Sequence, residues 1–136
     1  MAPTTLTEEV DNSVTFMSWN STDFNQVKSQ WLTNICDEKS VFFCSIQEHF
    51  KTENLSDKFF RDKFRQFNSY VIPGHCPAGQ DSGRASGGLA QLSRKEIAVK
   101  KDRVLTKNYR VQAQMLNLPS SKLLWINTYF PTDPHI

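Results

Sequence analysis

Two strand-like runs, each ending on a polar side chain able to hold a metal ion, constrain this chain more than any other feature. The first, Ser13 to Asn20, reads S-V-T-F-M-S-W-N, and the second, Val41 to Glu48, reads V-F-F-C-S-I-Q-E. Between them, Phe24, Val27, Trp31, Leu32 and Ile35 fall at helical spacing, which predicts a helix over Asn25 to Cys36. Asn20-Ser21-Thr22-Asp23 supplies turn and N-cap chemistry ahead of it, and Asp37-Glu38-Lys39-Ser40 reads as a polar connector. Two apolar strands joined by a helix lie side by side in one sheet. Their C-terminal ends then bring Asn20 and Glu48 together at one edge. A carboxylate beside an amide oxygen is a pair of hard donors, which suits Mg²⁺ better than zinc.

The rest of the chain continues the α/β pattern. Leu55, Phe59, Phe60, Phe64 and Phe67 predict an amphipathic helix over 55–67, capped near Ser56. Tyr70 to Pro73 reads as a short strand, Gly74 to Gly83 as a loop, and Gly88 to Leu92 as another strand. Glu96 to Leu105 holds one or two short strands. Arg110 to Leu118 alternates, with Val111, Ala113 and Met115 on one face and Gln112 and Gln114 on the other. Pro119 to Lys122 turns it back into Leu123 to Phe130 as a hairpin. The predicted fold class is α/β, a mixed sheet with helices on one face. A polar N-terminal lead spans 1–12 and a single domain spans 13–136, with no repeat or internal boundary.

Composition narrows the setting. Cys36, Cys44 and Cys76 form an odd set without a C-x-x-C pair, which argues against a structural zinc site or a disulfide framework. Cys44 reads as a buried small residue inside a strand. No apolar run is long enough to cross a bilayer, and M-A-P-T-T-L-T-E-E-V has neither the basic region nor the apolar core of a signal peptide. The expected setting is intracellular, nucleus or cytoplasm, with no membrane partner and an oligomeric state that the sequence leaves open. Charge is unevenly placed: residues 61–136 carry twelve basic and five acidic side chains, against four basic and nine acidic in 1–60. Seven of the basic ones fall between Arg94 and Arg110, including Lys100, Lys101 and Arg103. That cluster fits a phosphate-contacting surface or a solvated strand and turn. Arg84 lies in the loop around Gly79 to Gly88, which reads as a flexible surface loop that can approach a phosphate. It is not a P-loop, because no Gly-Lys-Ser/Thr follows.

Four motifs in order, Ser18-Trp19-Asn20, Gln47-Glu48, Ser86-Gly87-Gly88-Leu89-Ala90 and Asn127-Thr128-Tyr129-Phe130-Pro131, resemble the endonuclease/exonuclease/phosphatase superfamily of deoxyribonuclease I-like proteins. The run from Leu124 to Pro134 is most like the endonuclease domains of non-LTR retrotransposons. The resemblance implies one lobe of a four-layer α/β sandwich. It implies a Mg²⁺ ion held by Glu48 with Asn20 beside it, Tyr129 donating to the scissile phosphate, and a nucleic acid, DNA, as partner. Asn127 shares the face of Tyr129 at strand period and would support it or contact the phosphate. The implied activity is phosphodiester hydrolysis.

Departures from the family pattern are equally definite. Asp23 stands three residues after Asn20, where the family often has glycine, and it offers a further oxygen donor. No G-D-x-N and no S-D-H occurs in the 136 residues, so the chain resembles only the N-terminal portion of the domain. None of His49, His75 and His135 sits in an S-D-H context, and none is assigned as a catalytic base. A competing expectation is a catalytically inactive remnant, or a nucleic-acid-binding module that uses the basic 94–110 segment. A third is a phosphatase or exonuclease of the same superfamily.

Overall fold

A computed structural model describes residues 14–75 and 86–130. Strand β1 (Phe16–Asn20), helix α1 (Gln26–Lys39) and strand β2 (Phe43–Gln47) form the expected βαβ unit, with β1 and β2 parallel. Helix α2 (Glu53–Lys63) leads to β3 (Phe67–Ile72), β4 (Leu89–Arg94), β5 (Lys100–Val104), β6 (Val111–Leu118) and β7 (Ser121–Thr128). The first sheet has the order β1-β2-β4-β3 and is mixed, because β4 runs antiparallel to both neighbours. The second is an antiparallel meander, β5-β6-β7.

Side-chain alternation on the first sheet separates two interiors. Cys44, Ile46, Ala90 and Leu92 face the helices and pack with Phe24, Leu32, Cys36, Phe60 and Phe64. Phe24 stacks on both Phe60 and Phe64 with ring centroids 5.6 Å apart. Each such ring, fully buried, contributes about 1.5–3 kcal/mol. Phe43, Ser45 and Gln47 face the second sheet, where Phe43 meets Leu116 and Trp125. The order of layers is therefore helices, mixed sheet, antiparallel sheet.

The layer between the two sheets is rich in amides. Gln91 and Gln112 are fully buried, and Gln47, Gln114 and Asn127 nearly so. Trp125 Nε1 donates to Ser45 Oγ at 2.8 Å, Gln91 Nε2 to the Trp125 carbonyl at 2.9 Å, and Gln114 Nε2 to Gln91 Oε1 at 3.1 Å. Among the described residues, no buried side-chain polar atom lacks a partner. A satisfied network of this kind fixes the register of one sheet on the other, since a shift would orphan several amides. On β6 the glutamine face is thus the inner one. Leu116 shares that inner face, while half-buried Val111 and Met115 lie on the other, beside Leu124 and Ile126 of β7, which are 47% and 53% exposed.

Strand β3 begins at Phe67 rather than Tyr70, and both helices differ from expectation at their ends. The α1 cap is Asn25, whose side chain accepts from Lys28 N, rather than the Asn20–Asp23 turn. Asp37–Lys39 continue the helix as its last turn, and Ser40 ends it in a left-handed conformation with its N–H on the Cys36 carbonyl. Helix α2 begins at Glu53 after Thr52, which buries Ser56 within the helix, and it stops before Phe67 because that residue pairs with Arg94 in the sheet. Val27 and Trp31, placed on the apolar stripe of α1, are 78% and 54% exposed. Cys36 and Cys44 are buried free thiols, and Cys76 lies outside the described residues. No helix of the described residues is long and apolar enough to cross a membrane.

Candidate functional site

The parallel strands β1 and β2 end level with one another, Asn20 opposite Gln47. Beyond that line the two connecting segments stay zipped together. Ser21 N donates to the Gln47 carbonyl at 2.9 Å, Asp23 N to Glu48 O at 2.8 Å, and Phe24 N to His49 O at 3.3 Å. Thr22, Asp23, Glu48 and Phe50 all adopt positive φ, between 46° and 72°. Each such residue costs about 1–2 kcal/mol, so the conformation persists because the surrounding bonds determine it. Lys28 secures it from α1, its Nζ donating to the carbonyls of Ser21 at 2.7 Å and Thr22 at 2.8 Å.

The bends bring the two expected oxygen donors to one hydroxyl. Thr22 Oγ1 lies 3.1 Å from Asn20 Oδ1 and 3.2 Å from Glu48 Oε1. One hydroxyl carries one proton, so it satisfies only one of these acceptors at a time. The set of an amide oxygen, a carboxylate and a hydroxyl fits a hard cation that keeps most of its waters. Among the described residues, no group of three or more His, Cys, Asp and Glu side chains is placed to hold a metal, so a closed all-protein cage is not what this end of the sheet offers.

Tyr129 joins them from the end of β7. The Glu48 carboxylate beside its hydroxyl raises the Tyr129 pKa above the ordinary tyrosine value, partial burial adds to the rise, and Arg110 offsets part of it. Asn20, Glu48 and Tyr129 thus come together at one end of the two-sheet stack. Asn127 takes a different place from a phosphate contact. It is 1% exposed, its Oδ1 accepts from Gln47 Nε2 at 2.7 Å, and its Nδ2 reaches the Ile46 and Ala90 carbonyls and Gln112 Oε1 at 3.0–3.1 Å. Its hydrogen-bonding capacity is spent between the sheets, immediately under Glu48 and Tyr129.

His49 points inward, away from Glu48. Lys51 N donates to its Nδ1 at 2.8 Å, so the ring proton sits on Nε2 and is donated to the Ile72 carbonyl at 2.9 Å. Burial lowers its pKa from 6.5 to about 4. The sign follows directly. Between those pH values the unfolded chain binds the extra proton and the folded chain does not, so stability is full above pH 6.5 and falls as pH is lowered towards 4. The expected loss is about 3 kcal/mol across that window. Urea unfolding at stepped pH checks it, and a flat profile would show that the ring is protonated in place without cost.

The basic residues lie elsewhere. Lys100, Lys101 and Arg103 are on β5, the outer strand of the second sheet. Lys101 Nζ donates to the Val99 carbonyl, and the Arg103 guanidinium lies over the Tyr70 ring, 4.2 Å from its centroid. Arg84, Asp133 and His135 lie outside the described residues, and His75 is exposed beside Tyr109. Thr22 and Lys28 were not singled out in the sequence. Their signal is faint, since Thr22 reads as a turn residue and Lys28 as a solvated lysine in the first turn of a helix.

No protein-family model matches the chain, and no curated protein sequence matches it. Solved structures do match. An AP endonuclease from Leishmania major superposes with a TM-score of 0.62 at 15% identity, over 85% of this chain and 40% of its own length. A truncated TDP2 from Caenorhabditis elegans gives 0.57 at 19% identity, over 90% of this chain and 48% of its own. TDP2 from D. rerio, complexed with single strand DNA product, gives 0.50 at 12% identity, over 89% and 47%. These neighbours have the deoxyribonuclease I-like endonuclease/exonuclease/phosphatase fold, and likeness at such identities shows the fold alone. The chain spans less than half the length of each of the three.

Proposed function

We propose that residues 13–136, behind a polar lead at 1–12, are the N-terminal portion of a Mg²⁺-dependent phosphodiesterase domain that hydrolyses DNA. The observation that carries this reading is the convergence of Asn20, Glu48 and Tyr129 at one end of the stacked sheets, from three separate strands. The fold neighbours include an AP endonuclease and a TDP2 bound to single strand DNA product, which supports a nucleic-acid phosphodiester as substrate. The texture of Leu124 to Pro134 favours a retrotransposon-type endonuclease within that group. The exposed Leu124 and Ile126 on the outer face of the second sheet support a further covering layer, the fourth of a sandwich. The free buried thiols Cys36 and Cys44 suit a reducing compartment, nucleus or cytoplasm.

In this reading Glu48 would hold the ion, with Asn20 and the Thr22 hydroxyl as the further oxygen donors beside it. Bound Mg²⁺ would stabilise the negative charge that builds on the phosphate during in-line attack by water. Tyr129, with its pKa raised by Glu48, keeps its proton at neutral pH and donates it as a hydrogen bond to a phosphate oxygen. Gln47 and Asn127 hold the strand ends beneath these groups at fixed separation.

Calorimetric titration with Mg²⁺ tests the reading. With a single carboxylate, binding should be weak. Losing even an outer partner of a metal ligand costs about 10–100-fold in affinity, and Glu48→Gln should cost at least that much. Tight binding left unchanged by Glu48→Gln would place the ion at other residues and remove the basis of the proposal.

A further inference from the structure

A cationic cleft lies along the β3 edge of the first sheet, opposite β1. A cleft of about 390 Å³ opens beside β3, lined by Arg61 of α2, Ser69 and Val71 of β3, Lys95 after β4 and Arg103 of β5. A smaller one of about 150 Å³ continues from it past Ser69 and Arg103 to Lys101 and Gln114. Four cations from three parts of the chain, α2, the segment after β4, and β5, therefore border one continuous edge, with Asp57 as the acidic residue among them. Among the described residues, Lys95, Lys101 and Arg103 enter no salt bridge, and Arg61 has only a loose 4.0 Å approach to Asp62.

The cleft is built rather than a chance gathering of lysines. The Arg103 guanidinium is laid over Tyr70 and donates to the Ser69 carbonyl at 3.4 Å, which fixes it across the mouth between the two sheets. β3 is the outer strand of its sheet and is paired only with β4. Alternate backbone N–H groups of β3 therefore point away from β4 and add neutral donors to the cationic rim. Cations and N–H donors along one open edge match a chain of phosphates. They do not match an added peptide strand, which would need no excess of positive charge.

We propose that this β3–β5 edge cleft binds the phosphate backbone of a single strand of nucleic acid, independently of the Asn20–Glu48–Tyr129 end. The chain would then hold nucleic acid at two places, one for chemistry and one for grip. Fluorescence anisotropy of a labelled oligothymidylate with the 136-residue chain, across a salt series, reads this directly. Log affinity against log salt is expected to flatten by about 0.7 for each phosphate contact removed. Lys95→Glu combined with Arg103→Glu should weaken binding about tenfold or more and flatten the slope, and Arg61→Glu, on a different element, should act in the same direction. A charge-matched control, Lys39→Glu with Lys122→Glu, should leave both nearly unchanged. Equal losses in the control and the cleft variants, or no loss in either, would overturn the proposal. Calorimetry with Mg²⁺ on Lys95→Glu/Arg103→Glu separates it from the metal reading, because that variant should lose oligothymidylate binding and keep the Mg²⁺ affinity of the parent.

Discussion

Alanine at Gly88 is expected to be among the most damaging single substitutions in this chain, costing about 4 kcal/mol through added strain and overpacking. Gly88 sits at φ +99°, a backbone conformation that side chains rarely adopt, and an added Cβ would come within 2.6 Å of both ring nitrogens of His49. The imidazole has nowhere to retreat. It is fully buried, held at both nitrogens and packed edge-on against Phe60 with centroids 5.4 Å apart. The damage should also reach the candidate site, because Glu48 N donates to the Gly88 carbonyl and Phe50 N to the Gly87 carbonyl. Urea unfolding gives the stability change. A variant within about 1 kcal/mol of the parent would mean that the His49 ring has a second resting place, and the account of its low pKa would fall with it.

The same neighbourhood shows what a sequence can and cannot disclose. Strands β1 and β2 were legible because their apolar runs are long, and their polar ends announced where the sheet stops. That Asn20 and Glu48 share an end follows from parallel pairing alone, which needs only the βαβ order. The hydroxyl that joins them was not legible. Thr22 reaches both oxygens only because Thr22, Asp23 and Glu48 take left-handed turns, and no local preference of Thr or Glu asks for such turns. They are imposed by the cross-loop bonds from Ser21, Asp23 and Phe24, which are tertiary.

Strand β6 makes the opposite point. Its alternation was visible, but alternation alone does not say which face is inside. Apolar faces normally win that contest, yet here Gln112 and Gln114 are interior. The reason lies in partners far along the chain: Gln112 donates to the Tyr70 carbonyl and accepts from Asn127, and Gln114 donates to Gln91. Asn127 was placed on the correct strand and on the face of the site, and its burial could be known only once four acceptors and donors from three other strands were seen around it. Helix ends failed for a related reason. Phe64 and Phe67 continue the apolar stripe of α2, but pairing of Phe67 with Arg94 draws the chain out of the helix first.

The largest expected effect concerns catalysis itself. The 136-residue chain should not nick supercoiled plasmid in Mg²⁺ at a rate distinguishable from its Glu48→Ala variant. Phosphoryl transfer is catalysed mainly by positioning and by electrostatic stabilisation of the phosphate, and a single missing group of that kind typically costs about 10²–10³-fold. The described residues bring together a carboxylate, an amide oxygen, a hydroxyl and a tyrosine that donates from one side. The base that would take the proton of an attacking water is not supplied by His49. His49 is buried with both nitrogens engaged, and its pKa of about 4 leaves it a poor base as well as an inaccessible one. With His49 withdrawn, and without the G-D-x-N and S-D-H motifs that the resemblance implies for a complete site and that the 136 residues lack, two or more such factors are expected to be missing together. Nicking that is robust in the parent and abolished by Glu48→Ala would refute this. It would point to a base other than His49, with Asp23 before α1 and Asp133 and His135 beyond Tyr129 as the candidates along the chain.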